Sequence, residues 1–430
     1  MSEPFSLDFE VSDDKRRALE LNHRYVMPGR VERFASMGAP LVMGRREGYC
    51  FWDLDGHRLI DIHLNGGVFN LGHRNPELIE TLRDSLDELD IGNHHFPSKA
   101  RGELAERLAE LAPGSLRYTV FASGGGEAAD IAIKSARRTT GRRKIVGIAA
   151  GYHGRTGLSG AVGDDSAARY FLSDSPEQFA AVPFNDLPAM ERALAAGDVA
   201  AVMIETIPAT YGFPMPEEGY LCGVADLCSQ HGTVYIADEV QTGLGRTGPL
   251  WAVERYGVEP DILVMGKGLS GGVYPVAATM LSERCGEWLH DNGWGHVSTF
   301  GGSEVGCRVG LKVLEITTRA ETRANVERVA KHLERGFAGI LSRQPLLKGV
   351  RQAGLVMGLE FEGEAGALQM LKPLYEHGVW AMFAGFDPSV LQCKPGLLID
   401  LPLCDDLLER FESAVHAAGV QRDEGRAGSA

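Results

Sequence analysis

The middle of the chain alternates short apolar runs with stretches of helical periodicity. The apolar runs lie at 118–122, 144–150, 199–205, 233–239, 261–266 and 276–281. Runs that are apolar at nearly every position are typical of strands whose two faces are both covered by helices. The alternation therefore predicts an α/β fold with a mainly parallel, doubly wound sheet. In such a sheet the strands end at one common edge, which is where ligands bind.

The C-terminal part of the chain has a different pattern. It predicts a helix over 303–341, a strand at 354–361, a helix at 365–377, strands at 378–383 and 397–401, and a last helix over 404–418. Near the N-terminus, 46–61 predicts a hairpin. We expect the N-terminal segment 1–61 and the C-terminal segment 311–421 to form a smaller α+β domain beside a large domain over 62–310, with a disordered tail at 422–430.

Composition and charge exclude several classes of function. The net charge of -15 opposes binding to nucleic acid or to anionic membranes. No run reaches the roughly 18 consecutive apolar residues of a membrane-spanning helix, and the N-terminus lacks the apolar core of a secretory signal. Seven scattered cysteines without a CxxC pair favour reduced thiols, and hence a cytoplasmic protein.

A glycine-rich loop follows the first apolar run. Gly124, Gly125 and Gly126 precede a helix that is predicted to begin at Glu127. The N–H groups of such a loop and the dipole of the helix can together bind a phosphate, although the loop can also be a plain strand-to-helix turn. No Gly-Lys-Ser/Thr follows, so the loop is not a nucleotide P-loop, and it is not a GxGxxG dinucleotide fingerprint either.

Chemically useful side chains follow three other apolar runs. Tyr152 and His153 follow 144–150, Asp238 ends 233–239, and Lys267 follows 261–266. Each of these residues can also have an ordinary structural role. The tyrosine can be a packed aromatic, the histidine a structural hydrogen-bonding residue, the aspartate a metal ligand or a cap, and the lysine a solvent-facing side chain. Together at one sheet edge they are an aromatic that can stack on a ring, a partner for a ring nitrogen, and an amine for a Schiff base. A pyridoxal 5'-phosphate (PLP) site needs these parts, and no His or Cys cluster favours a metal.

These segments together resemble the class III aminotransferases, a branch of the fold-type I PLP enzymes, over about residues 46–418. The resemblance implies a seven-stranded sheet in the large domain. It implies that Lys267 holds PLP as an internal aldimine, that Asp238 pairs with the pyridinium nitrogen, and that Glu205 lies on the substrate side as a third catalytic residue. The implied cofactor contacts are Gly124, Gly125, Gly126, Tyr152, His153, Asp238, Val240, Gln241, Lys267, Ser298 and Thr299.

The family pattern also implies the reaction and the assembly. An amino group moves from a primary amine or an (ω-)amino acid to an oxo-acid by a ping-pong mechanism. The protein is expected to be an obligate homodimer in which Thr299 reaches the cofactor of the partner subunit. The segments 65–68 and 92–95 are further candidates for the site, or are structural turns.

Three departures from the family pattern affect this interpretation. Gly124 and Gly126 stand where the family usually has Ser and Thr or Ala, and Thr206 stands at a position that is usually proline. Gln392 stands where many members have an arginine that binds the substrate carboxylate, with Lys394 two residues further on. Because lysine is a point charge and arginine a planar fork, we expect carboxylate recognition to differ.

The departures leave room for other chemistry on the same scaffold. The main alternative is a PLP-dependent lyase, racemase, aminomutase or decarboxylase that acts on a small amine or amino acid. A non-catalytic PLP carrier is disfavoured because both Lys267 and Asp238 are present. A dinucleotide-binding oxidoreductase is disfavoured because its fingerprint is missing.

Overall fold

A computed structural model describes residues 10–427 of the protein, with side chains through residue 422. Residues 1–9 of the predicted N-terminal segment and 428–430 of the predicted tail lie outside the described residues. The strands are β1 (Met43–Glu47), β2 (Cys50–Asp53), β3 (Arg58–Asp61), β4 (Leu116–Ala122), β5 (Lys144–Ile148), β6 (Phe179–Val182), β7 (Val199–Glu205), β8 (Val234–Asp238), β9 (Ile262–Met265), β10 (Ala277–Ser282), β11 (Leu347–Ala353), β12 (Val356–Phe361), β13 (Val379–Trp380), β14 (Met382–Ala384) and β15 (Asp387–Cys393).

The helices connect and cover these strands. They are α1 (Asp13–Tyr25), α2 (Pro28–Ser36), α3 (Leu64–Gly67), α4 (Pro76–Leu86), α5 (Lys99–Glu110), α6 (Gly125–Thr140), α7 (Ser166–Tyr170), α8 (Leu187–Leu194), α9 (Tyr220–Gln230), α10 (Glu283–Gly286), α11 (Trp288–Asp291), α12 (Glu304–Thr318), α13 (Ala320–Arg343), α14 (Gly366–Gln369), α15 (Leu371–Glu376) and α16 (Leu401–Ala427). Short 3-10 helices lie at Leu158–Ala161, Ala252–Tyr256 and Lys267–Ser270. Among the described residues, no helix combines the length and the apolarity that a membrane crossing needs.

The central sheet has seven strands in the order β4-β10-β9-β8-β7-β5-β6. Only β10 runs against its two neighbours, β4 and β9, and the remaining pairs are parallel. The predicted mainly parallel, doubly wound sheet is therefore confirmed. The apolar runs identify six of its strands to within a few residues, and the short β6 escapes them. The carboxyl ends of β4, β5, β7, β8 and β9 share one edge of the sheet.

Both faces of this sheet are buried, which explains why its strands carry apolar side chains at successive positions. All seven residues of β7 are buried. Val202 and Ile204 pack into the core on one face, whereas Ala201 and Met203 pack on the other face with the buried alanines and isoleucines of α6. Because neighbouring residues of a strand point to opposite faces, each strand supplies both cores.

The two ends of the chain meet in a smaller α+β part of the molecule. The predicted hairpin is confirmed, since β2 and β3 pair in antiparallel fashion. β13, from the C-terminal part, extends the same sheet by pairing in parallel with β3. A second small sheet has the order β11-β12-β15-β14. The N-terminal helix α1 is fastened to this region by the buried Lys15, whose Nζ lies 2.8 Å from Asp53 Oδ2.

The structure corrects three details of the C-terminal prediction. The helix expected over 303–341 is two helices, because Arg319 between them has an extended backbone with ψ of 141°. The strand expected at 397–401 is wrong: β15 lies earlier, and α16 begins at Leu401. Pro388 and the polar residues of β15 hid this strand from the apolar pattern. The backbone of α16 also continues through residues 422–427 of the expected tail.

Helix α12 belongs to two cores at once. Val309 and Val313 pack in the core of the smaller part, whereas Cys307 and Leu314 pack in a core of the large sheet. The boundary expected after residue 310 falls inside this helix. The domain limits at residues 61 and 310 stay predictions.

Candidate active site

Lys267 stands just beyond the end of β9, at the carboxyl edge of the sheet. It opens the 3-10 helix Lys267–Ser270 with a φ of 41°, a left-handed conformation that is unusual for a residue with a side chain. Its side chain is only partly exposed. Burial lowers the pKa of its amine, and the charges of Asp238 and Glu205 oppose this effect without cancelling it. The amine is thereby prepared to react as a neutral nucleophile or base.

Glu205 and Asp238 are neighbours on adjacent strands. They end β7 and β8 and are paired in register, and both are buried, at 4% exposure each. Burial raises the pKa of Glu205 to about 7; the charge of Asp238 acts in the same direction, and the charge of His153 opposes it. The carboxylate accepts hydrogen bonds from the N–H of Tyr152 at 2.9 Å and of Ala209 at 3.3 Å.

His153 completes this group as the ionic partner of Asp238. Its Nδ1 lies 2.7 Å from Asp238 Oδ2. Burial lowers the pKa of His153, but the hydrogen bond and charge of Asp238, with the charge of Glu205, outweigh it, so the net shift is upward. A protonated His153 holds negative charge on Asp238 at the strand end. Such a carboxylate can pair with a cationic ring nitrogen.

The glycine loop presents the N-terminus of α6 to the same edge. The helix begins at Gly125, two residues before the predicted start, and its N-cap Gly124 provides no side-chain hydrogen bond. A Cβ built on Gly125 would lie 3.2 Å from Val240 Cγ1, and one on Gly126 would lie 2.9 Å from Thr156 Oγ1. Nothing lies within 4 Å of a Cβ on Gly124. The loop is thus closely packed at Gly125 and Gly126 and has open space at Gly124. The N–H groups of the first turn of α6 are suited to bind an anion.

Glu127 holds the loop in this shape. Its Oε2 accepts hydrogen bonds from Ser123 N at 2.9 Å and from Ser123 Oγ at 2.7 Å. Burial raises the pKa of Glu127, but its hydrogen bonds with Ser123 and Ser298 outweigh that effect and lower it overall. The family-like glutamate therefore acts on the loop and leaves the N–H groups free for a ligand.

Val240 and Gln241 continue from Asp238 into the site. The N–H of Val240 donates to Asp238 Oδ1 at 3.0 Å, and both Val240 and Gln241 are half-buried. Tyr152, also half-buried, follows β5 on the other side of Asp238. The structure thus brings together Lys267, Asp238, Glu205, Tyr152, His153, Val240, Gln241, Gly124, Gly125 and Gly126, all at the carboxyl edge of the sheet.

Ser298 reaches the glycine loop through its hydrogen bond with Glu127, whereas Thr299 has no described contact with this group. Thr299 is exposed, and its carbonyl accepts a hydrogen bond from Asn93 N at 2.8 Å. Asn93 Nδ2 also donates to Gly301 O at 2.8 Å. The segment 92–95 therefore supports the loop that carries Thr299. The described contacts do not join Thr299 to Lys267 or Asp238.

Gly66, from the candidate segment 65–68, and His63, which the sequence did not assign to the site, also lie beside Lys267. A Cβ on Gly66, whose φ is +71°, would lie 2.8 Å from Lys267 Cε and 3.2 Å from Gln241 Oε1. His63 has a pKa well below its usual value because of burial and the charges of Lys394, Lys267 and Arg246. The Gly66-Gly67 pair is visible in the sequence as a sign of close backbone approach, whereas nothing in the pattern singles out His63.

Glu239 lies next to Asp238 in the sequence but has a structural role. Its carboxylate accepts from Thr206 Oγ1 at 2.6 Å, Thr242 Oγ1 at 2.8 Å, Ala252 N at 3.0 Å and Val253 N at 2.9 Å. Burial raises its pKa to about 7 despite these hydrogen bonds. Glu239 therefore fixes the backbone around the site. Thr206, where the family usually has proline, is one of its donors.

Replacing Glu239 by glutamine is expected to lower the free energy of unfolding by about 1–3 kcal/mol. Ala252 N faces one carboxylate oxygen and Val253 N faces the other, so either orientation of the amide sets its NH2 group against a backbone N–H. Urea unfolding at neutral pH measures the change, with the exposed Glu218→Gln as the control. Equal free energies of unfolding for Glu239→Gln and the control would contradict a stabilising role of the four hydrogen bonds to Glu239.

Among the described residues, no group of three His, Cys, Asp or Glu side chains is arranged to hold a metal ion.

Comparison with known proteins identifies the family of this chain. The family model described as aminotransferase class-III matches residues 34–415. An uncharacterised aminotransferase of Archaeoglobus fulgidus is 45% identical over 409 residues, which cover 95% of this chain and 96% of that relative.

Solved structures extend the comparison to the fold and the cofactor. The ornithine aminotransferase of Toxoplasma gondii, with partial occupancy of PLP at its active site, matches with a TM-score of 0.83 and 26% identity over 96% of this chain and 100% of that one. The N-acetylornithine aminotransferase of Stenotrophomonas maltophilia matches with a TM-score of 0.77 and 29% identity over 90% and 98% of the two chains.

Proposed function

This chain belongs to the class III aminotransferases, and on that premise we propose that its active centre is the cluster of Lys267, Asp238 and Glu205. The protein is a PLP-dependent aminotransferase. When bound, PLP supplies an aldehyde carbon that reacts with amines and a pyridinium ring that accepts electrons from the substrate carbon. The contributions of the chain itself can be argued from the contacts described above.

The residues at the sheet edge fit PLP group by group. The open N-terminus of α6, capped by Gly124 without a side-chain bond, suits the phosphate. The ion pair of Asp238 with His153, 2.7 Å long, suits the protonated ring nitrogen, because it keeps a negative charge where the ring needs one. Tyr152 is half-buried beside them and offers a ring face for stacking.

Lys267 carries the proton transfer in this proposal. Its amine would hold the cofactor covalently. The same Nζ would take the proton from the substrate carbon, since burial lowers the pKa of Lys267 and favours the neutral amine. The single observation that carries the proposal is that the buried amine of Lys267 interacts electrostatically with the carboxylates of Asp238 and Glu205.

The proposed amino donor is a primary amine or an ω-amino acid. Gln392 replaces the arginine that would bind an α-carboxylate as a fork, and Gln392 is buried, with its Nε2 donating to Phe383 O at 3.3 Å. A donor that relies on a bidentate carboxylate contact is therefore disfavoured. The solved relatives named above are aminotransferases of ornithine and N-acetylornithine, both of which are amino acids with a primary amine at the end of the side chain.

A half-reaction with single amines, without any oxo-acid, tests the function and the donor class. We expect the visible absorbance of the loaded enzyme to disappear with a good donor, as one equivalent of aldehyde or ketone forms per subunit and the reaction then stops. Addition of an oxo-acid should restore the absorbance. Product that continues to accumulate without an oxo-acid would instead establish a lyase, racemase or decarboxylase reaction.

We propose further that the active enzyme is a homodimer in which Thr299 reaches the partner's cofactor. The supporting observation is a group of exposed apolar side chains on the two segments around Thr299: Ile91 at 49%, Phe96 at 75%, Trp294 at 65%, Val297 at 58% and Phe300 at 52% exposure. Exposed apolar groups concentrated in this way are typical of an interface. Light scattering during turnover tests the assembly, and a fully active monomer would contradict it.

A further inference from the structure

A second lysine lies buried beside Lys267. Lys394 follows β15 directly and has no exposed surface, and its backbone N–H donates to Ile62 O at 2.6 Å. Within the described part of the chain its Nζ has no carboxylate partner. It donates instead to Gln392 Oε1 at 2.5 Å and to Gln241 Oε1 at 3.3 Å.

The position is costly for a cation. Burial, with the charges of Arg246 and Lys267, lowers the pKa of Lys394 well below its ordinary value. The face of the Phe213 ring, 5.3 Å from Nζ, gives limited compensation. An apolar side chain of the same length would avoid the cost. The residue at this position is therefore better explained by what its donors do than by stability.

Gln241 accepts a hydrogen bond from Lys394 and lies close to Lys267. The position of a Cβ on Gly66 would be 3.2 Å from Gln241 Oε1 and 2.8 Å from Lys267 Cε, so the amide and the end of the lysine chain flank the same glycine. Lys394 Nζ donates to the oxygen of this amide at 3.3 Å. The NH2 group of Gln241 is then turned to the other side.

Gln392 takes part in the same arrangement from the smaller sheet. Its Oε1 accepts from Lys394 while its Nε2 donates to Phe383 O at 3.3 Å. Both ends of its amide are occupied inside the protein. The side chain that replaces the family's arginine thus supports Lys394 and is not available to fork a substrate carboxylate.

We propose that Lys394 is a positioning residue, which fixes the amide of Gln241 so that its NH2 group donates to the ring-oxygen side of the cofactor beside Lys267. The inference rests on the proposed function, because it needs PLP on Lys267. Gln392, Lys394 and Gln241 form one hydrogen-bonded series that connects β15 with the loop after β8. Lys394 thereby acts on the cofactor through Gln241 and not on the substrate.

Lys394→Met tests this inference, because methionine has a similar length and cannot donate. The apo protein should melt at the wild-type temperature or above it, since a buried amine is removed. In the loaded enzyme, the pH at which the visible absorbance changes should move, and the rate of the amine half-reaction should fall about tenfold, the usual effect of losing one buried hydrogen bond. Lys394→Arg, which retains a donor, should recover part of the rate.

A double-mutant cycle separates positioning from a merely structural role. Gln241→Ala should shift the absorbance titration as Lys394→Met does, and the double variant should show no further shift, because the two act in series. The exposed Lys348→Met, on β11 of the same small sheet, is the matched control. Additive effects would overturn the inference, as would a raised KM for carboxylate substrates with an unchanged titration.

Failure of the inference is distinguishable from failure of the proposed function. A wild-type protein that shows the absorbance change with amines, while Lys394→Met behaves identically, would overturn the inference alone. A wild-type protein that gains no visible absorbance when PLP is added would overturn the proposed function, and the role of Lys394 with it.

Discussion

Replacing Lys267 by alanine is expected to lower kcat/KM for an amine donor roughly a thousandfold or more, because covalent attachment and proton transfer are lost together. The fold should survive. Alanine carries the same Cβ, so the left-handed backbone at φ of 41° is no more strained than before, and a partly buried amine is removed. The measurement combines steady-state kinetics with the absorbance of the PLP-loaded protein, which should lose the band of the lysine-bound cofactor.

The exposed Lys331→Ala on α13 serves as the control for this experiment, and it should retain wild-type kinetics and absorbance. An added small primary amine should partly restore the rate of the Lys267 variant, because it can supply the missing base from solution. Activity of Lys267→Ala within tenfold of wild type would show that another group carries the chemistry, and the assignment of this lysine would fall.

Replacing Asp238 by asparagine is expected to lower kcat/KM roughly a hundredfold or more, by analogy with the loss of other preorganised electrostatic contacts. The shape of the side chain is preserved, while the charge that would face the ring nitrogen disappears. His153 reports the change independently. Its pKa is raised by the hydrogen bond and charge of Asp238 against the effect of burial, so in the variant its pKa should fall.

NMR titration of His153 and a thermal melt together test this second prediction. In the wild type the imidazolium should persist to higher pH than in Asp238→Asn, since only the wild type has the carboxylate 2.7 Å away. The exposed Asp226→Asn on α9 removes the same charge from the surface and is the control. An unchanged histidine titration, or a loss of activity explained by unfolding, would contradict the proposed pairing.

The apolar runs predict six of the seven strands of the large sheet, because strands buried on both faces must be apolar at successive positions. The run VAAVMIE coincides with β7 to the residue. The same physics explains the failures. β15 carries Pro388 and the polar residues Asp387 and Gln392, whose side chains make hydrogen bonds, so its pattern does not resemble that of a buried strand.

The site was predictable where chemistry and strand ends coincide, as at Asp238 and Lys267. The site was harder to predict where its side chains contact one another instead of following directly from a strand end. Lys394 and Gln392 were visible as departures from a family pattern, but their contact with Gln241 joins residues 153 positions apart. His63 enters the site from the turn after β3. Such meetings depend on tertiary packing, which periodicity along the chain does not encode.

Helix α12 places Val309 and Val313 in one core, and Cys307 and Leu314 in another. A segment shared in this way makes the two parts of the molecule dependent on one another for their folding. Recombination that exchanged the smaller part alone would have to divide or duplicate this helix. We therefore expect the two parts to be inherited together.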